Sequence, residues 1–169
     1  MGADVPLRVP RNRVDPHAVW LWVGEGVLST AVLAAAAVAA RLLTPADLPG
    51  WLRTLLDVLP WLVIPLGAVL VVVEPLWRYR VHRWEVTGDA VYTLEGWLTR
   101  TWRIVPIARI QTVDTTRGPV QQALGLATVT VRTASHAGST DVQHLEAGLA
   151  DAVAHDLALR ANAVRDEAT

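Results

Sequence analysis

Two long apolar runs, Val19 to Ala40 and Val58 to Trp77, constrain this chain more than any other feature. About twenty helical residues at 1.5 Å rise cross about 30 Å of hydrocarbon. The first run is interrupted only by Glu25 and small residues, and Trp20 and Trp22 stand at its entry. Trp61 and Trp77 bracket the second run, where indoles favour the membrane interface. Pro60 and Pro65 fall inside it. Membrane helices tolerate proline when neighbours re-satisfy the freed carbonyls, and a bend is expected near Pro65. The competing reading is a buried helix of a soluble protein, which a second such run disfavours. A secretory signal would need a small-residue cleavage site after its apolar core. Here a second apolar run follows, so the first reads as a retained anchor.

The rest of the organisation follows from these runs. Residues 1–18 are expected to form a cytoplasmic tail. Met1 to His17 is polar, contains proline and carries Arg8, Arg11 and Arg13, and it reads as short and flexible. Residues 19–40 are the first transmembrane helix, 41–57 an extracytoplasmic connection, 58–77 the second transmembrane helix, and 78–169 a cytoplasmic domain. Thr44-Pro45-Ala46-Asp47 has the form of a helix start, threonine as cap and proline just inside. For Trp51 to Asp57 two readings stay open, a short amphipathic piece on the membrane surface and an ordinary loop. Arginines near the spans set orientation. Arg78, Arg80 and Arg83 follow the second span, whereas the connection holds Arg41 and Arg53. The expectation is a multi-pass protein of the cell membrane with both termini cytoplasmic and the lipid bilayer as its first partner. Charged residues are 18%, below the quarter usual for soluble proteins, which fits.

Beyond Tyr79 the pattern changes to short strands. Tyr79 and Val81 share one parity, Trp84 and Val86 the other, so the second helix is predicted to run to about Val81 before a strand at His82 to Thr87. Gly88-Asp89 makes a turn. Ala90 to Glu95 is the next strand, with Ala90, Tyr92 and Leu94 on one face. In Trp97 to Val105, Leu98, Trp102 and Ile104 share one parity and Thr99, Thr101 and Arg103 the other, which predicts one wet face. Val105-Pro106 closes that strand. Ile107-Ala108-Arg109 bridges to a strand at Ile110 to Thr116. Gly118-Pro119 opens a single helical turn that Gly125 stops. Ala127-Thr-Val-Thr-Val-Arg-Thr133 alternates apolar and polar residues, the mark of a half-buried strand. A turn at 136–139 and a short strand from Thr140 to Leu145 follow. A final helix, Glu146 to about Val164, carries Leu149, Val153 and Leu157 beside Ala150, Ala154 and Ala161 as its apolar stripe. Six or seven short strands in this space predict an antiparallel sandwich or barrel.

The ordered set Pro106-Ile-Ala-Arg-Ile-Gln-Thr-Val113, Gly118-Pro119, Gly125-Leu126-Ala127 and Thr133-Ala134, preceded by a hydrophobic hairpin, resembles the bacterial pleckstrin-homology-like (bPH2) domain of YdbS-like membrane proteins. The resemblance runs from about Trp20 to the C-terminal helix. It implies a two-helix transmembrane hairpin attached to an α+β pleckstrin-homology-like domain, a small antiparallel β barrel or sandwich capped by a C-terminal helix. It implies no established chemistry, no enzyme activity and no cofactor. Relatives of this kind often occur beside a longer protein with several such domains, which implies a membrane protein partner.

The residues are equally sparing of chemistry. With no cysteine there are no disulfides, thiolate metal sites or cysteine nucleophiles. Five histidines form no HExxH pattern. His136 and His144 flank a turn, but a zinc site needs three or four ligands, and solvated histidines are the preferred reading. Gly118 to Gly125 lacks the Gly-Lys-Ser/Thr ending of a phosphate loop. Gln111 and Asp114 are expected to pair with backbone. A net charge of -1 argues against a nucleic-acid binder. Lipid head-group binding is what pleckstrin homology suggests, but the first hairpin, Glu85-Val-Thr-Gly-Asp89, is acidic. Residues 78–169 carry ten arginines against ten acids, so no polybasic footprint exists and phosphoinositide binding is not expected.

Two pairs of residues remain as candidate sites. Glu25 and Glu74 are intramembrane carboxylates at similar depth in an antiparallel hairpin, and such groups are costly and often functional; snorkelling toward Arg78 or Arg80 is the plainer account. Arg103, on the polar face of its strand, and Arg117, in a loop beside Gly118-Pro119, are the candidate binding surface, because arginine is enriched at binding hot spots. The functional expectation is a non-enzymatic, membrane-anchored protein-interaction subunit with a membrane protein or a second copy as partner. A lipid- or small-ligand-binding membrane module is the alternative.

Overall fold

The computed structural model describes residues 9–45, 49–96, 98–134 and 138–167. The chain divides into two compact units, one formed by residues 19–76 and the other by residues 1–18 together with 77–169.

The second unit opens with a strand that the sequence pattern did not reveal, β1 (Asn12–Arg13). The tail is therefore ordered from Val9 to His17, with Pro10 and Val14 buried. The expectation of a flexible tail is overturned because the tail adds an edge to a sheet. A two-residue strand has no period to read.

The helical unit is made of α1 (Ala18–Leu43) and α2 (Gly50–Val81). Only 6% of the most apolar window of α1 is buried, and none of that of α2. A core helix of a soluble protein would be mostly covered, so both remain candidate membrane spans. At 32 residues, α2 reaches about 48 Å, well beyond the hydrocarbon thickness. Trp51 to Asp57 is neither a separate amphipathic piece nor a loop but the first turns of α2. The Pro49 carbonyl starts it, accepting from the Leu52 and Arg53 amides at 3.0 and 3.2 Å. Thr44 does not cap a new helix; its hydroxyl donates back to the Ala40 carbonyl at the end of α1. The rest of that expected start, Ala46-Asp47, lies outside the described residues. Arg41 pairs with Asp57 across the connection. Pro60, Pro65 and Pro75 all lie inside α2.

The β unit continues with β2 (Arg83–Val86), β3 (Ala90–Glu95), β4 (Thr101–Pro106), a 3-10 turn (Ile107–Arg109), β5 (Ile110–Thr116), α3 (Pro119–Ala123), β6 (Leu126–Thr133), β7 (Thr140–Glu146) and α4 (Ala147–Glu167). Two antiparallel sheets result, ordered β1-β2-β3-β4 and β5-β6-β7. The core lies between them and α4. Val129 and Val131 on β6, Val91 on β3 and Leu157 on α4 are all fully buried within it. The β6 alternation holds, with Ala127, Val129 and Val131 at zero exposure.

Three faces differ from the sequence reading. On β4 the apolar parity is the outer one. Trp102 and Ile104 are 36% and 38% exposed, while Val105 is 2% exposed and joins the core. As an edge strand, β4 has only β3 beside it, and its polar parity runs on the inner face until Val105. On β3, both faces are covered, since Val91 and Thr93 are buried as well as Ala90 and Leu94. On α4, Leu149 is exposed, and the stripe is Ala150, Leu157 and Ala161, with Val153 and Ala154 beside it. Small residues let the helix sit close to the sheet, which leaves Leu149 outside the contact.

The turn chemistry explains α3. Gly118 N–H donates to the Gln121 side chain at 3.0 Å, and Gly125 takes φ +68, a left-handed conformation that favours glycine.

Candidate functional site

A groove of about 660 Å³ opens in the β unit where β4 passes through the 3-10 turn into β5. Its apolar wall includes Ile104, Val105, Pro106 and Ile110; Arg109, Gln111 and Thr133 supply polar groups, and Arg165 closes it from α4. A bulge makes part of it. Pairing passes from Ile110↔Thr133 to Thr112↔Arg132, which leaves Gln111 without a cross-strand partner and turned into the groove. Sequence reasoning missed this groove. Its only early signal was Pro106 beside a run that is neither helix nor strand. Among the described residues, neither Gln111 nor Asp114 pairs its side chain with backbone as expected: Asp114 takes Arg132 across the ladder at 3.2 Å.

The predicted arginines lie apart. Arg103 sends Nη1 to the Ser139 carbonyl at 3.2 Å, clipping β4 to the segment before β7. It also faces Glu95, whose carboxyl is raised by burial, opposed by Arg103, raised further by Asp141 and lowered by Arg78. Arg117 pairs with Asp151 on α4. Ser139 Oγ accepts from the Thr133 amide, and Arg117 follows Thr116, which pairs with Thr128. Five residue steps along β6, from Thr128 to Thr133, separate those ends, about 17 Å, so the two arginines do not form one patch.

In the helical unit, a cleft of about 200 Å³ runs between the helices, lined by Gly26, Ser29 and Thr30 from α1 and by Gly67, Val71 and Glu74 from α2. A Cβ on Gly67 would lie 2.2 Å from Thr30 Cγ2, and one on Gly26 3.1 Å from Val71 Cγ2. Small residues here allow the close approach that holds membrane helices together. This register puts Glu25 level with about residue 72, within about 3 Å of Glu74 in depth. The two carboxylates are nonetheless not brought together: Glu74 lines the cleft, and Glu25 is exposed outside it.

Two histidines are buried rather than solvated, His82 and His144, at 5% and 8% exposure. His144 stands at φ 56, within the stretch where the β6–β7 register shifts from Ala127↔Leu145 to Val129↔Val142. Its carbonyl accepts from the Asp15 amide at 2.9 Å. Burial holds its imidazole down at about 4, with the charges of Arg78 and His82 adding to the effect. Burial also lowers His82; its ring bond to the Arg78 carbonyl opposes this, and the Arg78 charge reinforces it. His82 Nδ1 lies 3.0 Å from that carbonyl, which only accepts, so Nδ1 carries the proton. His136 lies outside the described residues. Among the described residues, no group of three or more His, Asp or Glu is placed to hold a metal.

The first hairpin is less acidic at its tip than its sequence suggests. Glu85 is buried on β2 and accepts from the Arg11 amide at 3.3 Å. Thr87 organises the turn, accepting from the Ala90 amide at 3.1 Å.

A pair of apolar helices leading into two antiparallel sheets and a C-terminal helix defines the class. The chain belongs to the family described as bacterial PH domain, whose model matches residues 21–161. Within that family it is similar to the UPF0699 transmembrane protein YdbS of Bacillus subtilis (strain 168). It is 30% identical to that protein over 139 residues, which cover 81% of this chain and 85% of the relative. No solved structure matches the chain.

Proposed function

We propose that this chain is a non-enzymatic, multi-pass protein of the cell membrane that presents its β unit in the cytoplasm as the interaction subunit of a membrane complex. The observation that carries the reading is the outer face of β4. Trp102 and Ile104 on that strand are 36% and 38% exposed at the edge of a sheet, and Leu98, in the segment before it, is 80% exposed. An apolar strand edge of this kind is a surface that another protein covers. The partner is a second membrane protein or a second copy of this chain. Arg103, on the other parity of β4 and clipped to the Ser139 carbonyl, and Arg117, paired with Asp151 at the far end of the β unit, are contact points separate from that face.

The orientation draws support from pairing inside the β unit. Asn12 and Arg13 lie against Trp84 and Arg83, so the residues before α1 and those after α2 belong on one side of any membrane the two helices cross. The arginine distribution assigns that side to the cytoplasm.

Purification from mild detergent tests the reading. A stoichiometric protein partner, or a defined oligomer, lost on Trp102→Asp with Ile104→Asp but kept on Arg132→Ala, supports it. A monomer that carries no protein refutes it.

A second reading, a module that binds a lipid or small ligand, is favoured by the groove beside Arg109.

A further inference from the structure

We infer that the groove between β4, the 3-10 turn and α4 binds an amphiphile with a single anionic head group, a carboxylate or a phosphate monoester, with Arg109 as the head-group ligand. This rests on the ligand-handling reading above. The volume of about 660 Å³ lies in the range of small-molecule sites, about 300–1,000 Å³.

The chemistry of the wall selects the ligand. Arg109 and Arg165 are both present, and none of the described lining residues is acidic. Arg103 and Arg117 are committed to Ser139 and Asp151. Arg109 is exposed and makes no ion pair or side-chain hydrogen bond among the described residues. Arg165 is aimed by its own bonds, Nε to the Ala161 carbonyl at 3.3 Å and Nη2 to Asn162 Oδ1 at 2.9 Å. A guanidinium fork matches a carboxylate or a phosphate in two parallel bonds. Gln111, freed from the ladder, adds a neutral donor. The exposed apolar lining, Ile104, Pro106 and Ala108, has no use for a small hydrated anion. It would be covered by an acyl or isoprenoid chain, whose burial contributes in proportion to its apolar area.

The test uses the full chain in neutral detergent, with a diazirine-bearing palmitic acid, the matching fatty alcohol, and cross-links mapped by mass spectrometry. The acid is expected to label residues 104–111 more strongly than the alcohol does. Unlabelled palmitate should displace it, and inorganic phosphate should not. Arg109→Gln should cut labelling about tenfold, the loss of one charge-assisted bond, with the melting temperature unchanged. Arg41→Gln, in the helical unit where it pairs with Asp57, should leave labelling intact. Equal labelling by acid and alcohol, indifferent to Arg109→Gln, would overturn the anionic head group while leaving a ligand groove standing. Displacement by inorganic phosphate as readily as by palmitate would overturn the amphiphile in favour of a free anion. Labelling by neither probe at residues 104–111 would overturn the inference and the ligand-handling reading together.

Discussion

Replacing Val129 by aspartate puts the arrangement of the β unit to a severe test. Val129 is at zero exposure on β6, the middle strand of its sheet, with Thr115 and Val142 opposite it. Losing the buried valine side chain costs about 2 kcal/mol. A carboxylate there has no cation and no water, so it takes up a proton. Holding a group of ordinary pKa near 3.9 neutral at pH 7 costs about 4 kcal/mol, at 1.36 kcal/mol per unit. An unsatisfied carboxylic acid adds about 1–3 kcal/mol. The sum, about 7–9 kcal/mol, rivals the whole stability of a small domain, about 5–15 kcal/mol. The matched control is Thr130→Lys on the other face. Thr130 sits between Asp114 and Asp141 on the neighbouring strands, so a lysine there gains cross-strand attraction. Aspartate at the same place would meet two like charges and is the wrong control. Denaturant unfolding followed by circular dichroism is the assay. Val129→Asp should be unfolded or nearly so at pH 7 and regain part of the loss toward pH 4.5, while Thr130→Lys should unfold within about 0.5 kcal/mol of the parent. Equal losses in the two variants, or no pH dependence in the first, would refute the assigned faces.

His144 has a folded pKa of about 4 against an ordinary 6.5, so the unfolded chain binds the proton first. Stability should be full above about pH 6.5 and decline as pH falls toward 4, by up to about 3 kcal/mol. His144→Asn, which tolerates the left-handed backbone, should flatten that slope in pH-dependent melts. The Trp84 indole donates to the Arg13 carbonyl at 3.1 Å, so Trp84→Phe should cost about 1 kcal/mol. Residues 78–169 expressed alone, without β1, should show faster amide exchange along β2. Gly67→Ala should lower the melting temperature in detergent, because its Cβ would meet Thr30 Cγ2 at 2.2 Å. Gly24→Ala, with nothing within 4 Å, should leave packing unchanged.

Local signals were readable wherever they repeated or involved special backbone. The β6 alternation and the Gly118-Pro119 to Gly125 turn are both found in the structure, because period and φ are properties of a few adjacent residues. The end of α2 at Val81 was legible from a parity slip. What failed were features set by distant partners. Burial of His82 and His144 depends on β1 and the β7 register, which no local pattern announces. The outer face of β4 carries its apolar residues where, among the described residues, the sheet ends with β3 as the strand's one neighbour, and periodicity alone does not say which parity faces inward. The groove was illegible for the same reason: Arg109 and Arg165, 56 positions apart, meet only when α4 closes over the 3-10 turn.

The absence of cysteine makes the membrane arrangement directly measurable with single introduced thiols in intact cells. Pro45→Cys, in the connection between the helices, should react with an impermeant maleimide added from outside. Ala123→Cys, exposed on α3, should react only after the membrane is opened. Labelling of Ala123→Cys and protection of Pro45→Cys would contradict the cytoplasmic β unit. Equal labelling of both from outside would contradict the membrane-spanning hairpin itself.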